Sequence, residues 1–333
     1  MNKKTILFLF ISLVCFTVVF AVALMVGQYN INLSDFFKAI FSNDSSVDIQ
    51  RNIIINLRLP RTIVAGLSGI ALSISGLIYQ EIFHNKLTSP DLLGVSSGAS
   101  VGASIAILLG LSSIFTSLFA FALGVITVII TLVISKLFKN GASITLILSG
   151  IIVGGFMSAL LSLVKYFADP TTTLASISYW LMGSFENSSM GIVWILLPIV
   201  AISCLILLIL SWRINVLALG QEEAQTKGIN YKLYRILLIG IATLLTASSV
   251  AFSGTISWIG LVIPHVVRLI SGRDTRKSMP LCITFGGTFM IIVDVLARTF
   301  TNSEMPLSAV TGILGTIIFV SILLSQRRNY NVH

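Results

Sequence analysis

Ten apolar runs, each close to the length of a membrane crossing, divide this chain, and nothing else in it restricts the fold so severely. A helix needs about 20 predominantly apolar residues to cross the hydrocarbon core. The runs are 5–27, 62–83, 92–111, 114–135, 142–164, 191–211, 233–253, 255–270, 281–300 and 307–325. In lipid the backbone must satisfy its own hydrogen bonds, and runs of this length do so as helices. The spacing predicts an all-α polytopic membrane protein of about ten transmembrane helices, with one transmembrane domain over 1–333. Of the 333 residues, 56% are hydrophobic and 10% charged, whereas soluble domains carry about 25% charged residues. The eighth run is short and contains Pro264. Ser112 and Ser113 divide the third from the fourth.

Lys and Arg collect on cytoplasmic segments. With the N-terminus inside, the inner segments hold Lys3, Lys4, Lys86, Lys136, Lys139, Arg213, Lys227, Lys232, Arg235, Arg268, Arg273, Arg276, Lys277, Arg327 and Arg328. The outer side holds only Lys38, Arg51, Arg58, Arg61, Lys165 and Arg298. Both termini are therefore expected in the cytoplasm. The net charge of +9 does not read as nucleic-acid binding, because the basic residues fall between apolar runs and form no patch. Lys3, Lys4 and Ala21-Val22-Ala23 resemble a signal peptide, but the apolar run continues through Val26, which favours an uncleaved first span. On the outer side, 33–41 reads as a short amphipathic helix with Asp35 near its start. A second short helix is expected at 174–185, with Tyr179 and Trp180 as interface aromatics. Cys15, Cys204 and Cys282 each lie in an apolar run, which argues against a disulfide framework or a metal site.

The most polar inner stretch, 212–235, carries Arg213, Glu222, Glu223, Lys227, Lys232 and Arg235. Good helix formers fill 217–227, and Gly220 and Gly228 bracket a short helix, with Gly228 placed as its stop. Such a helix is either a connector or a rigid knob that a soluble partner grips, so that the partner's motion moves the spans on either side.

Small residues line several helix faces. In the second run Gly66, Gly69, Ser73, Gly76 and Gln80 share one face. The third reads Gly94-x-x-x-Gly98-x-x-x-Gly102, and the fifth has Gly150, Gly154 and Ser158. Such faces let helix backbones approach closely in lipid. Gly94-Val95-Ser96-Ser97-Gly98 also fits the serine-hydrolase elbow, but its glycines continue a packing ladder and His265 is the only histidine within a run. No G-x-x-x-x-G-K-[ST] occurs, so the chain is not expected to hydrolyse nucleotide. Asp294 and Arg298 have the spacing of an i,i+4 ion pair. An ion-coupled carrier would want acids at the midplane of several spans, and Asp294 stands nearly alone. Arg58 and Arg61 at the outer mouth run against the positive-inside trend. They suit either headgroup anchoring or the docking of an acidic surface.

Arg58-Leu-Pro-Arg61, Gly69, Ser75-Gly76, Gln80, Asn85-x-Leu87-x-x-Pro90-x-Leu-Leu-Gly94-x-x-x-Gly98-Ala99, Trp180-x-x-Gly183-Ser184, Ala218-Leu219-Gly220, Gly260-Leu-Val-x-Pro264-His265-x-x-Arg268, Asp294-x-x-Ala-Arg298, Glu304-x-Pro306 and Gly315 run in order along the chain. In these residues the sequence resembles the FecCD/BtuC-type permeases, the membrane subunits of ATP-binding-cassette (ABC) importers for ferric siderophores, haem and cobalamin. It departs from the pattern at Asn85-Lys-Leu-Thr88, where the family usually has Asn-Pro-Leu-Ala. The resemblance implies a multi-pass protein of the bacterial cytoplasmic membrane, surrounded by lipid. It further implies two ABC ATPase subunits, a second permease copy or paralogue, and a substrate-binding protein. No cofactor is implied for the chain itself; ATP and Mg2+ would be used by the ATPase. Ala218, Leu219, Gly220, Ala224 and Gly228 would form the ATPase-coupling site, and Arg58, Arg61 and Arg298 would meet glutamates of the binding protein. Gly69, Gly76, Gly94, Gly98, Gly102 and Gly154 would serve packing or the pathway, with the fifth and tenth spans lining a route between two permeases. A secondary, ion-coupled transporter working without an ATPase is the alternative.

Overall fold

The computed structural model describes residues 3–42, 45–138, 143–301 and 303–330. Lys139 and Ala142, assigned above to the inner side and the start of the fifth run, lie outside them, as do the side chains of Arg327 and Arg328. Every helix or strand among the described residues is helical. In chain order the helices are α1 (Lys3–Met25), α2 (Leu33–Phe41), α3 (Asp48–Asn52), α4 (Leu59–Ile82), α5 (Val95–Leu108), α6 (Ser113–Leu137), α7 (Ser143–Phe167), α8 (Thr173–Met182), α9 (Met190–Leu217), α10 (Gln221–Thr226), α11 (Tyr231–Ser253), α12 (Ile259–Ser271), α13 (Thr275–Thr299) and α14 (Leu307–Tyr330). A π-helical turn, Ile53–Arg58, joins α3 to α4. Among the described residues, eight helical stretches are long and apolar enough to cross a membrane.

The other two runs, the third and the eighth, form the shorter α5 and α12. This corrects the expected bounds 92–111 and 255–270. At 1.5 Å per residue, the 14 residues of α5 and the 13 of α12 reach only about 20 Å. Each is preceded by non-α-helical chain. Before α5 come a 3-10 turn, Pro90–Leu93, and then Gly94 at φ 83°. Before α12, residues 254–258 are irregular and Trp258 takes φ 72°. Both helices start part-way along their neighbours. Gly94 lies against Thr127 in the middle of α6, and Gly260 lies near Leu72 in the middle of α4.

Irregular backbone at this depth is tolerated only where its polar groups are met within the protein. Pro264 has no N–H to return to the carbonyl of Gly260, four residues earlier. Gln80 of α4 supplies the missing donor: its Nε2 donates to Gly260 O at 3.3 Å and to Thr88 O at 3.2 Å. Arg268 in turn donates to the Gln80 Oε1 and pairs with Glu81 at 2.8 Å. One amide thus joins α4, the turn before α5 and α12.

The centre of the bundle is α4, buried over most of its length. A Cβ at Gly69 would run into the carbonyl of Gly286 on α13, and one at Gly76 into the backbone of Gly260. Ser73 donates to Cys282 O at 3.0 Å along the same face. A Cβ at Gly98 or Gly102 would strike the backbone of α6. The expected ladder starts one residue type too early, however. Gly94 is not in a helix; it is the left-handed joint that lets α5 begin. On α7 a Cβ at Gly150 would meet the carbonyl of Leu92, and one at Gly94 would come within 3.6 Å of Gly154 Cα, so both α7 glycines lie near the chain that leads into α5. One residue on, a Cβ at Gly155 would meet nothing within 4 Å, and Gly155 and Ser158 are exposed.

Gly76→Ala forces a methyl group into the α12 backbone, and overpacking of this kind costs about 1–3 kcal/mol. Detergent-purified Gly76→Ala is expected to unfold at a clearly lower temperature than wild type. Gly240→Ala, where a Cβ meets nothing within 4 Å, serves as the unaffected control.

Candidate functional site

Two polar constructions interrupt the apolar surface, one at each end of the α4–α13 pair. At the outer end, Arg61 follows Pro60 on the first turn of α4, and Asp294 and Arg298 occupy the last two turns of α13. Asp294 is 0% exposed. Arg61 Nε donates to its Oδ1 at 2.8 Å, across 233 residues of chain, and Arg61 also pairs with Glu304. The i,i+4 partner Arg298 stands further off, its Nε 3.5 Å from Oδ2. Arg298 donates instead to Ala23 O at the end of α1, at 2.5 Å. The π turn carries Arg58 inward, where it donates to Leu24 O at 3.1 Å, Met25 O at 2.6 Å and Tyr29 O. Cations at a helix C-terminus complement its partial negative charge, so α1 ends on two guanidiniums. Gly27 packs directly against them, and a Cβ there would push the Arg58 guanidinium aside.

The expected docking role is corrected on this point. Arg58 and Arg298 are 5% and 6% exposed and bonded to α1 carbonyls. Neither stands free to meet another protein. Arg61 is the most exposed of the three, and its second partner, Glu304, is partly exposed. Glu304 also accepts from Ser184 Oγ at 3.2 Å, so the cluster reaches the chain that follows α8. That chain is held in place by Ser184 N donating to Ser253 O at 3.0 Å and Leu307 N donating to Gly183 O at 3.1 Å.

At the inner end, α9 continues through Leu217, so the first residues of the polar stretch 212–235 belong to the span and not to a loop. Gly220 turns the chain at φ 121°, α10 follows, and Gly228 at φ 72° leads to α11. A small core of Val216, Leu217, Ala224, Ile229 and Tyr231 seats α10, with Ala224 fully buried. Leu219 projects, 60% exposed, beside the exposed Glu222, Glu223 and Lys227. Two contacts tie this knob to the bundle, and neither has a sequence signature. Asn215 Nδ2 donates to Asp274 Oδ1 at 2.7 Å while its Oδ1 accepts from Thr275 N at 2.7 Å, at the start of α13. The ring of His84, just past α4, contacts Leu217 O at 3.2 Å. Burial would raise the Asp274 carboxyl, but donors from Arg276 and Asn215 outweigh it and hold the group below its usual range.

The hydrolase elbow has no support in the geometry. Ser96 donates to Asp91 at the start of a helix, and no strand precedes it. Among the described residues no three His, Cys, Asp or Glu side chains gather as a metal site.

Removing Asp294 leaves Arg61 and Arg298 buried without their shared carboxylate, and breaking a buried pair costs about 3–5 kcal/mol. Asp294→Ala is expected to lower the thermal midpoint of the purified protein far more than Glu304→Gln, whose site is partly open to water.

The model of the FecCD transport family matches residues 15–325. The chain is 35% identical over 311 residues to the molybdate import system permease protein MolB of Haemophilus influenzae, covering 92% of each chain. It is 35% identical over 323 residues to a probable iron chelatin transport system permease protein of Helicobacter pylori, covering 95% of this chain and 98% of that one. A solved inward-facing structure of a metal-chelate type ABC transporter superposes with a TM-score of 0.87 at 33% identity, over 95% of this chain and 98% of the other. The helical bundle, the two short helices within it and the match along nearly its whole length place this chain in the FecCD transport family, as the membrane-spanning permease subunit of an ABC importer.

Proposed function

We propose that this permease carries a metal chelate, an iron–siderophore complex in the first instance, inward across the cytoplasmic membrane. In this reading two ATPase subunits drive it, a second permease copy or paralogue pairs with it, and an extracytoplasmic binding protein supplies it. The observation that carries the mechanical part is the placement of the two polar constructions on the same two helices. The last turn of α9, which carries the knob, is bonded to the start of α13 through Asn215 and meets the chain after α4 where His84 contacts Leu217 O. The outer ion cluster joins the start of α4 to the end of α13. Glycine contacts lock α4 and α13 together between those ends. A push on α10 by an ATPase, using ATP and Mg2+, would therefore reach the outer mouth as a rigid-body displacement and not as a local bend.

Leu219 and the exposed residues of α10 form the face an ATPase would grip, with Ala218, Gly220, Ala224 and Gly228 setting its shape. The open part of α7 at Gly155 and Ser158, and the largely uncovered α14, suit packing against a second permease, because small residues let helices approach closely in lipid. A pathway between two permeases would run along those helices. Docking of a binding protein would involve Arg61, with an acidic side chain of the partner taking the place of Glu304. Opposite charges there would speed encounter and set register.

The iron–siderophore choice rests on the relative named for iron chelatin. The relative named for molybdate favours a second reading, in which the cargo is a small oxyanion. Uptake by the reconstituted importer, assayed with radiolabelled ferric siderophore and with molybdate, separates them. Transport of molybdate alone would overturn the first choice.

Two variants test the mechanics. Leu219→Asp is expected to cut ATP-driven uptake about tenfold, equivalent to ~1.4 kcal/mol of lost coupling or docking, without loss of the folded permease. Normal transport by Leu219→Asp would remove the knob from the mechanism. For docking, Arg61→Gln should weaken binding-protein affinity at low salt, and Glu304→Gln, which frees Arg61, should strengthen it. Equal affinities for wild type and both variants would exclude Arg61 as a contact.

A further inference from the structure

We infer that α2 is an interfacial anchor whose apolar ridge is seated in the outer leaflet of the membrane. At 100° per residue, Leu33, Phe36, Phe37, Ile40 and Phe41 share one side of α2, and Ser34, Asp35, Lys38 and Ser42 share the other. Only part of the apolar side is used by the protein. Phe36 and Ala39 are buried with Leu24, Ile31, Val47 and Ile54. Leu33, Phe37, Ile40 and Phe41 are not, and Phe41 is 80% exposed.

The level of the helix identifies what covers that ridge. Its core partners Leu24 and Ile54 sit at the outer ends of the first two spans, and Phe20, one turn deeper in α1, packs on the same cluster. Those spans expose apolar side chains of their own near these ends, Val22, Ile55 and Leu57. It carries no charge, since Asp35 and Lys38 lie on the other side. A helix with this division lies in the plane of the interface, its apolar face about 5–10 Å into the headgroup–acyl boundary. A folded protein docking from outside would meet the polar side instead.

The helix is also braced for such a load. Nine residues are too few to be stable alone. Arg51 compensates by donating to Ala39 O at 3.0 Å and to Ser42 O at the C-terminus of α2, while pairing with Asp48 at 2.5 Å. The segment between α1 and α2 supplies Tyr29 O to Arg58, so an anchored α2 steadies the buried cations at the outer mouth.

The test uses Phe37→Cys and Phe41→Cys carrying a nitroxide, in full-length protein with Cys15, Cys204 and Cys282 replaced by alanine, in phospholipid vesicles. Collision with oxygen is expected to exceed collision with a water-soluble nickel chelate by about fivefold at both sites, and the ratio should invert at Lys38→Cys. Greater access to the nickel chelate at residues 37 and 41 overturns the inference. So does protection of those sites that appears only when a binding protein is added, which would make the ridge a protein-docking surface. If the cysteine-free background does not fold, a membrane-impermeant maleimide on intact membranes gives the same answer. Cys204 and Cys282 are buried, and parent protein without the new cysteine measures the Cys15 background. Resistance at 37 and 41 with reaction at 38 supports the anchor, and equal reaction at all three overturns it.

Discussion

The outer half of this molecule depends on one carboxylate. Asp294 has no exposed surface and stands between Arg61 and Arg298. A buried guanidinium is tolerable only when its charge is met and its donors are used. Asp294 meets part of that demand, Glu304 another part and the terminal carbonyls of α1 a third, while Arg61 Nη2 and Arg298 Nε face Asp294 as ion pairs without a hydrogen bond. Those carbonyls have no partner within their own helix, so two sets of unsatisfied groups answer one another. The result joins α1, α4, α13 and the segment before α14.

The same accounting explains the interior. Two helices too short to cross the bilayer begin part-way along their neighbours, and each start exposes polar backbone where water is absent. Gly94 and Trp258 accept left-handed conformations to turn the chain there. Pro264 frees the Gly260 carbonyl, and Gln80 meets it. Glycines at 69, 76, 98 and 102 let the backbones come close enough for these bonds to form. A residue larger than glycine at 76 would hold α12 away from α4 and leave the Gln80 amide without its acceptors.

The proposed transmission of force rests on where the polar bonds lie along α4 and α13. Both helices carry an inner attachment to the chain around α10 and an outer attachment to the ion cluster. The contact between them is backbone to backbone at Gly69 and Gly286, which leaves little freedom to shear. Bistable packing of this kind moves as a unit or not at all.

Length and periodicity made much of this legible before any coordinates. The apolar runs located every long helix, the glycines at 220 and 228 bracketed α10, and the pattern over 33–41 marked α2 to the residue. Those are local properties, recorded in neighbouring residues. What could not be read was which partner each polar group finds. Arg58, Arg61 and Arg298 have the look of exposed cations in sequence, because Arg61 and Asp294 are 233 positions apart and nothing along the chain shows that they meet. Asn215 and Asp274 are silent for the same reason. The third run is long enough to cross as a helix and the eighth falls short of it, and only their close approach to α6 and α4 shows where each helix begins. The sequence by itself determined that this chain lives in a bilayer, how often it enters, and which helix faces could approach. Tertiary structure alone decided which buried charges neutralise one another, because desolvation is settled by every element that surrounds a group and not by its neighbours in the chain.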